Sequence, residues 1–336
     1  MADCFAESIK FVENSNLLAI TSGSPETLEY FSNKYQIKKK YCFKKYNDLL
    51  KCDEVDIVYI SLPNNLHFEW ISKSIDAGKH ILAEKPVTVN SEELETILYK
   101  TQLKSLLFRE GFMYLYHPIT QNYLNKITGG LIGMPIEMKS SFGCNILQKP
   151  TILQTFKNLI QSKPEPRQFN QNLGGGCILD LGCYLTSFSL LISKIRSEEH
   201  DGIPAFSNTK FFFGSKKVEV DSSTELKFKN NFSSNIHSSF VKDLGQKTII
   251  RGNEGQIVIN SSWSCMESGY FVNGEYEKIE NLEYGSPYSF QIRSISDSIL
   301  NDDLAPIYPI FTFEEMLTNM RILDMWSDQK FDKSTV

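Results

Sequence analysis

Lys85 stands between Glu84 and Pro86 at the end of a short apolar run, Ile81-Leu82-Ala83. The proline biases the lysine towards extended backbone. In an open α/β sheet the carboxyl end of a strand borders the ligand crevice, so an ammonium there can hold a substrate hydroxyl and lower the pKa of a neighbouring acid. Further along, the triplet Gly174-Gly175-Gly176 feeds an apolar stretch in which Asp180 and Tyr184, four residues apart, share one helical face. Glycines let backbone approach closely, and a carboxylate beside a phenol can bind a polyol and exchange its proton. A third segment, Ser61-Leu62-Pro63-Asn64-Asn65-Leu66-His67, follows another apolar run and opens a helix whose unpaired N–H groups would face a ligand. Each segment also has a plainer reading: a strand-to-helix turn shaped by Pro63 and Asn64, a solvated loop lysine, a locally paired Asp180 with Tyr184 filling a domain contact.

Those segments need a frame to bring them together. The first third alternates apolar runs at 17–20, 57–60, 81–83 and 106–108 with helical patterns, as a parallel sheet covered by helices would. Leu66, Trp70, Ile71 and Ile75 form one helical face closed by Gly78, and Asn90 with Glu93 forms a capping box ahead of Leu94, Ile97 and Leu98. At His117-Pro118 the pattern changes. From about 205 to 285 it reads as strands, with Leu226 and Phe228 alternating with Lys227 and Lys229, and with Asn273-Gly274 as a two-residue hairpin turn. A last helix starts near Phe313, with Met316, Leu317, Met320 and Leu323 on one face. The expected fold is α/β: a Rossmann-like, doubly wound parallel sheet over residues 1–117, then an α+β domain with a largely antiparallel open sheet over 118–336.

Composition narrows the function. The 336 residues, 41% hydrophobic and 22% charged, exclude a disordered or collagen-like chain. No uncharged apolar run approaches the ~20 residues of a membrane span, and Asp3, Glu7 and Lys10 stand where a signal peptide would be apolar. A soluble, cytoplasmic protein is expected. Thirty-five basic against forty acidic side chains argue against nucleic acid as a partner. The seven cysteines are scattered without a C-x-x-C pair, which points to reduced thiols and away from zinc or disulfides.

In order, these segments resemble the Gfo/Idh/MocA family of NAD(P)-dependent oxidoreductases over nearly the whole chain. Pro63-Asn64 with His67 matches its P-N-x-x-H turn, Glu84-Lys85-Pro86 its E-K-P, and Gly174 to Gly176 with Asp180 and Tyr184 its G-G-G-x-x-x-D-x-G-x-Y helix. Phe112-Met113-Tyr114-Leu115-Tyr116-His117-Pro118 is similar to F-M-Y-R-F-H-P, and the closing stretch 313–326 fits. Tyr184, where inositol dehydrogenases usually have His, resembles the dihydrodiol dehydrogenase and D-xylose dehydrogenase branch.

The resemblance implies hydride transfer between NADP or NAD and a carbinol of a sugar, cyclitol or vicinal diol. Tyr184 would be the general acid/base, titrating well below the ordinary ~10 of tyrosine. Lys85 would hold the same oxygen and favour the phenolate, and Asp180 would orient the polyol. Ser22, Ser61, Leu62, Pro63, Asn64, His67, Glu84 and Lys85 would line the cofactor. Tyr114 and Arg167 would meet the substrate, Arg167 standing in for the family arginine that Leu115 replaces, although a loop arginine also has a plain solvated reading. Assembly into a homo-oligomer through the open sheet is implied as well.

Two departures follow from the same resemblance. A relative opens with an apolar strand and a G-x-G-x-x-A turn before the stretch resembling Ala2-Asp3-Cys4-Phe5-Ala6-Glu7. That strand lies centrally, and its buried aliphatics are worth on the order of 10 kcal/mol. The expectation is therefore that a native product carries roughly fifteen more residues, a strand and its turn, and that the chain as it stands binds dinucleotide weakly. In Thr21-Ser22-Gly23-Ser24, glycine stands where NADP-preferring relatives often place arginine, and no acid selects NAD; Ser22 and Ser24 lean the choice slightly to NADP. A non-catalytic dinucleotide- or sugar-binding regulator and an NAD-dependent glycosidase remain alternatives, although the retention of Lys85, Asp180 and Tyr184 together favours turnover.

Overall fold

The computed structural model describes residues 1–146, 167–196, 202–214, 217–280, 283 and 285–331. Its N-terminal strands are all parallel: β1 (Ile20–Thr21) pairs with β2 (Cys42–Phe43), and β3 (Ile57–Ile60), β4 (His80–Ala83) and β5 (Phe108–Glu110) form a separate sheet in that order. The parallel sheet is thus in two pieces, and β1 and β3 each keep an unpaired edge among the described residues. Apolar contact still links them, since Leu18 and Ala19 share a cluster with Val58 and Trp70.

Two of the four apolar runs differ in extent from the sequence reading. Only the end of 17–20 becomes strand, because its partner β2 is two residues long. The 106–108 run enters its strand late because the Leu107 N–H donates to His80 Nδ1 (2.9 Å), so that the strand starts at Phe108. Elsewhere the local signals hold. The helix His67–Asp76 buries Ile71 and Ile75, and Gly78 turns the chain at φ +71°. The helix Ser91–Lys104 is capped by Asn90, whose side chain accepts from the Glu93 N–H, but Glu93 reaches back to the Val89 N–H, leaving only half of the expected capping box.

The second sheet has eight strands: β6 (Pro135–Gly143), β7 (Ala205–Phe213), β8 (Glu219–Lys227), β9 (Ser233–Ser239), β10 (Thr248–Gly252), β11 (Gln256–Ile259), β12 (Gly269–Val272) and β13 (Glu275–Lys278). Their order is β13-β12-β11-β10-β6-β9-β8-β7, antiparallel throughout except where β6 meets β9. Asn273 and Gly274 join β12 to β13 with positive φ at both positions, as a tight two-residue hairpin requires. The inner face, with Met138, Leu226, Ile236 and Ile250, lies in one core with Leu185, Phe188 and Leu191 of the helix Cys183–Arg196. The stretch Gln171–Arg196 is long and apolar enough to cross a bilayer, yet 83% of its most apolar window is buried inside the protein, which is the environment of a core helix. The opposite face of the sheet is polar and holds an open depression of about 490 Å³ lined by Lys139, Lys210, Glu225, His237 and Lys247 among others.

The closing helices cross back to the first part of the chain. Pro287–Leu300 places Tyr288, Ile292 and Ile295 against Phe5, Leu82 and Leu107. Helix Phe313–Asp328 starts in a full capping box of Thr312 and Glu315, sets Phe313 edge-on to Phe108, and accepts the Ser91 N–H at Asp324 (2.8 Å). Its Trp326 is fully buried against Gly182, where an added Cβ would come within 2.8 Å of the indole. Gly182 lies between Asp180 and Tyr184, so this contact supports the site from behind. Trp326→Ala is expected to lower stability by about 3–5 kcal/mol, read as a shifted urea midpoint at unchanged slope; a shift below about 1 kcal/mol would contradict this role.

Candidate active site

The parallel ladder carries Lys85 to its position. The Glu84 N–H donates to Ile60 O just beyond the end of β4 (2.9 Å), and Lys85 follows. Its ammonium reaches into the second half of the chain, donating to the Asp180 carbonyl (2.6 Å) and to Asp180 Oδ1 (3.1 Å), and lies 4.9 Å from the centre of the Tyr184 ring. The three side chains expected to converge therefore do. They are also enclosed: the side chains of Lys85 and Asp180 are 6% and 16% exposed, and Tyr184 is 5% exposed.

Asp180 and Tyr184 were expected on one α-helical face. Residues Ile178–Gly182 instead form a π-helical turn leading into Cys183–Arg196. Such wide turns occur frequently at functional sites, and here the Asp180 carbonyl accepts from the lysine. Arg167 adds a second cation, with Nη2 3.9 Å from Asp180 Oδ1, and donates from Nη1 to Asn64 Oδ1 (3.2 Å). Asn64 Nδ2 donates to the Gly174 carbonyl (3.1 Å). Gly174 has φ +71°, and an added Cβ would come within 2.9 Å of Asn64, so glycine is what allows the turn after β3 to touch this segment.

Burial is the largest influence and opposes the charge on Lys85, but Asp180 together with Cys183 and Glu84 holds the ammonium above the usual lysine range. Burial likewise pushes the Asp180 carboxyl up, and Lys85 with Arg167 pull it below its ordinary value. Both are charged at neutral pH. The expectation for Tyr184 needs correction: burial holds its phenol well above the ordinary tyrosine range. The reason is geometric. The ammonium lies over the ring and spends its hydrogen bonds on Asp180, while the Tyr184 hydroxyl points to Met113 Sδ (3.7 Å) in a shell of Phe112, Phe142 and Trp263.

Other expected contacts fall elsewhere. Tyr114 is buried behind Tyr184 and shares a hydrogen bond with Ser187 Oγ (2.9 Å), so it is a core residue, turned inward by the 3-10 turn Met113–Tyr116. His67 is fully buried between the carbonyls of Pro86 (3.0 Å) and Leu62 (2.9 Å), to one of which its neutral ring donates, and it does not face a crevice. Glu84 is buried and accepts the Tyr59 hydroxyl. Ser61 is exposed at the end of β3, with Leu62 and Pro63 half-buried after it. Ser22 lies in the turn just after β1, where its Oγ accepts from the Ser24 N–H (3.1 Å). Beside it, Thr21 Oγ1 is buried without a hydrogen-bond partner. These hydroxyls at two strand ends fit the sugar and amide groups of a dinucleotide.

Sequence reasoning passed over Glu110, although an acid at the carboxyl end of β5 satisfies the same rule that singled out Lys85. Its Oε1 accepts the Val87 N–H (3.1 Å), and burial pushes its carboxyl up to about 8. The folded state thus binds a proton that the unfolded chain releases near 4.5, so this contribution to stability is full below that value and is lost as pH rises through about 8. Urea unfolding is expected to give lower stability at about pH 8 than at about pH 5, with a smaller difference in Glu110→Gln. An unchanged difference would contradict the assignment.

A parallel sheet with an ammonium, a carboxylate and a phenol gathered at its strand ends, roofed by a second and mostly antiparallel sheet, defines the dinucleotide-binding class of two-part α/β proteins. Residues 3–112 match the model of an oxidoreductase family with an NAD-binding Rossmann fold, and residues 123–258 match the GFO/IDH/MocA C-terminal domain. The chain belongs to the Gfo/Idh/MocA oxidoreductase family. It is 35% identical over 140 residues to a dTDP-3,4-didehydro-2,6-dideoxy-alpha-D-glucose 3-reductase of Actinomadura kijaniata, a match covering 41% of this chain and 37% of that protein, well under half of the reductase's length. A trans-1,2-dihydrobenzene-1,2-diol dehydrogenase of Xenopus tropicalis is 23% identical over 275 residues, 82% of this chain and 76% of that one. The crystal structure of a 3-ketoreductase from Actinomadura kijaniata in complex with NADP and TDP-benzene shares the fold, with a TM-score of 0.77 at 21% identity over 95% of this chain and 91% of that one.

Proposed function

We propose that this protein is an NAD(P)-dependent oxidoreductase that interconverts a secondary hydroxyl and a ketone on a sugar, cyclitol or vicinal diol. The observation that carries this reading is the meeting of Lys85 with Asp180 and Tyr184, drawn from separate halves of the chain, within hydrogen-bond or ring-contact distance. The keto-sugar reductase and the diol dehydrogenase among its relatives support the substrate class. Ser22 and Ser24 follow β1, although Glu26 accepts from Ser24 Oγ (2.6 Å), so the lean to NADP rests chiefly on the ketoreductase structure, which binds it.

The nicotinamide, when bound, exchanges a hydride with the substrate carbon. Lys85 donates its third N–H to the substrate oxygen while its two bonds to Asp180 keep the ammonium paired. Tyr184 moves the proton at its hydroxyl. Burial holds that phenol well above the ordinary tyrosine range, which by itself makes it a reluctant acid, so donating its proton to a ketone needs the Lys85 ammonium at the developing alkoxide. Running the reaction towards oxidation requires the ammonium to come closer to the phenol oxygen. Arg167 borders the same carboxylate, is held in place by Asn64, and meets the substrate's remaining hydroxyls. Cytoplasmic location and homo-oligomer formation through the polar face of the eight-stranded sheet belong to this reading, and the seven free cysteines support a reducing compartment.

The test is a screen of NADPH and NADH with keto sugars, and of NADP and NAD with aldoses, inositols and vicinal diols. Turnover is expected, and Tyr184→Phe should lower kcat by about 100- to 10,000-fold with cofactor affinity little changed. Dinucleotide binding without turnover on any of these substrates would favour a regulator instead, and turnover indifferent to Tyr184→Phe would overturn the assigned acid.

A further inference from the structure

The peptide unit between Pro86 and Val87 has a buried side chain set against each of its polar atoms. The Pro86 carbonyl faces His67 Nδ1 at 3.0 Å, and the Val87 N–H donates to Glu110 Oε1 at 3.1 Å. The two side chains come from opposite directions, His67 from the start of the helix after β3 and Glu110 from the end of β5. The other ring nitrogen of His67 lies 2.9 Å from the Leu62 carbonyl; the neutral imidazole donates to one of the two carbonyls and packs between the turn after β3 and the turn after β4. Gly111, directly after Glu110, closes the same corner: its N–H donates to Ala83 O (2.7 Å), and an added Cβ would lie 3.0 Å from Glu84 Cα. A turn at a strand end would ordinarily leave its peptide groups to water. This one is held by the protein, immediately after the lysine.

We infer that His67 and Glu110 are positioning residues that clamp the Pro86–Val87 peptide and thereby fix the base of the Lys85 side chain, so that its ammonium meets Asp180 beside Tyr184. The clamp itself stands on geometry alone; only its relevance to catalysis rests on the function proposed above. It gives His67 a role other than cofactor contact, and it makes Glu110 a part of the site that touches neither substrate nor cofactor.

The experiment is a brief pulse of acetic anhydride on the intact chain, with acetylation of each lysine read by mass spectrometry. Lys79 is the internal control: it is buried just before the start of the same strand, with its ammonium on the Cys52 carbonyl (2.8 Å). Glu110→Leu keeps the volume and removes the acceptor, whereas Glu110→Gln keeps an oxygen for the Val87 N–H. Lys85 is expected to label about tenfold faster in the Leu variant with Lys79 unchanged, and within about threefold of the native rate in the Gln variant. Lys85 labelling unchanged in the Leu variant, or rising in step with Lys79 as general loosening would cause, overturns the clamp. Should the Leu variant not fold, amide exchange in the native chain decides: Val87 is expected among the slowest-exchanging amides, and exchange at the rate of an open loop overturns the inference. Neither readout needs turnover, so a failed substrate screen would sink the proposed function and leave the clamp standing or falling on its own.

Discussion

A buried ammonium must have a counter-charge, and the pairing of Lys85 with Asp180 is the contact on which the centre of this molecule depends. The two residues are 95 positions apart, one at the end of a parallel strand and the other in a π-helical turn that faces the second sheet. Removing one partner of such a pair leaves an uncompensated buried charge and typically costs about 3–5 kcal/mol. Neither half of the chain can therefore complete the site alone. The elements around it serve that meeting: the Gly174 contact with Asn64, the Trp326 ring behind Gly182, and the closing helices that return to the first part of the chain.

The same pairing sets the state of the phenol. With its hydrogen bonds committed to Asp180, Lys85 polarises the Tyr184 ring from its face and leaves the hydroxyl in an apolar shell beside Met113. The tyrosine holds its proton, and a substrate oxygen has to enter between lysine and phenol to draw on both. Two cations, Lys85 and Arg167, border one carboxylate, so the site can lend a hydrogen bond to substrate without leaving Asp180 unpaired.

Much of this was legible in the sequence where a local rule has one physical cause. Lys85 could be found because strand ends border crevices, the β12–β13 turn because Asn-Gly accepts positive φ, and the Asn90 cap because its side chain takes an orphan N–H. The misreadings lie where tertiary contacts decide. Tyr114 and His67 sit in motifs that look like site residues, but their side chains are turned into the core by the turns that carry them. Helical spacing placed Asp180 correctly near Tyr184, yet nothing in the spacing announces a π turn. Nor can a sequence show how completely a phenol will be enclosed, and that burial is what carries the Tyr184 shift upward.

The central claim is that Lys85 and Asp180 are coupled in solution, and a double-mutant cycle measures this directly. Equilibrium urea unfolding of Lys85→Met, Asp180→Leu and the double variant should show each single change costing several kcal/mol and the double change costing less than their sum, with a coupling of at least about 1.5 kcal/mol. Costs that add to within about 0.5 kcal/mol would mean that the two groups do not meet, and the site described for this protein would not exist.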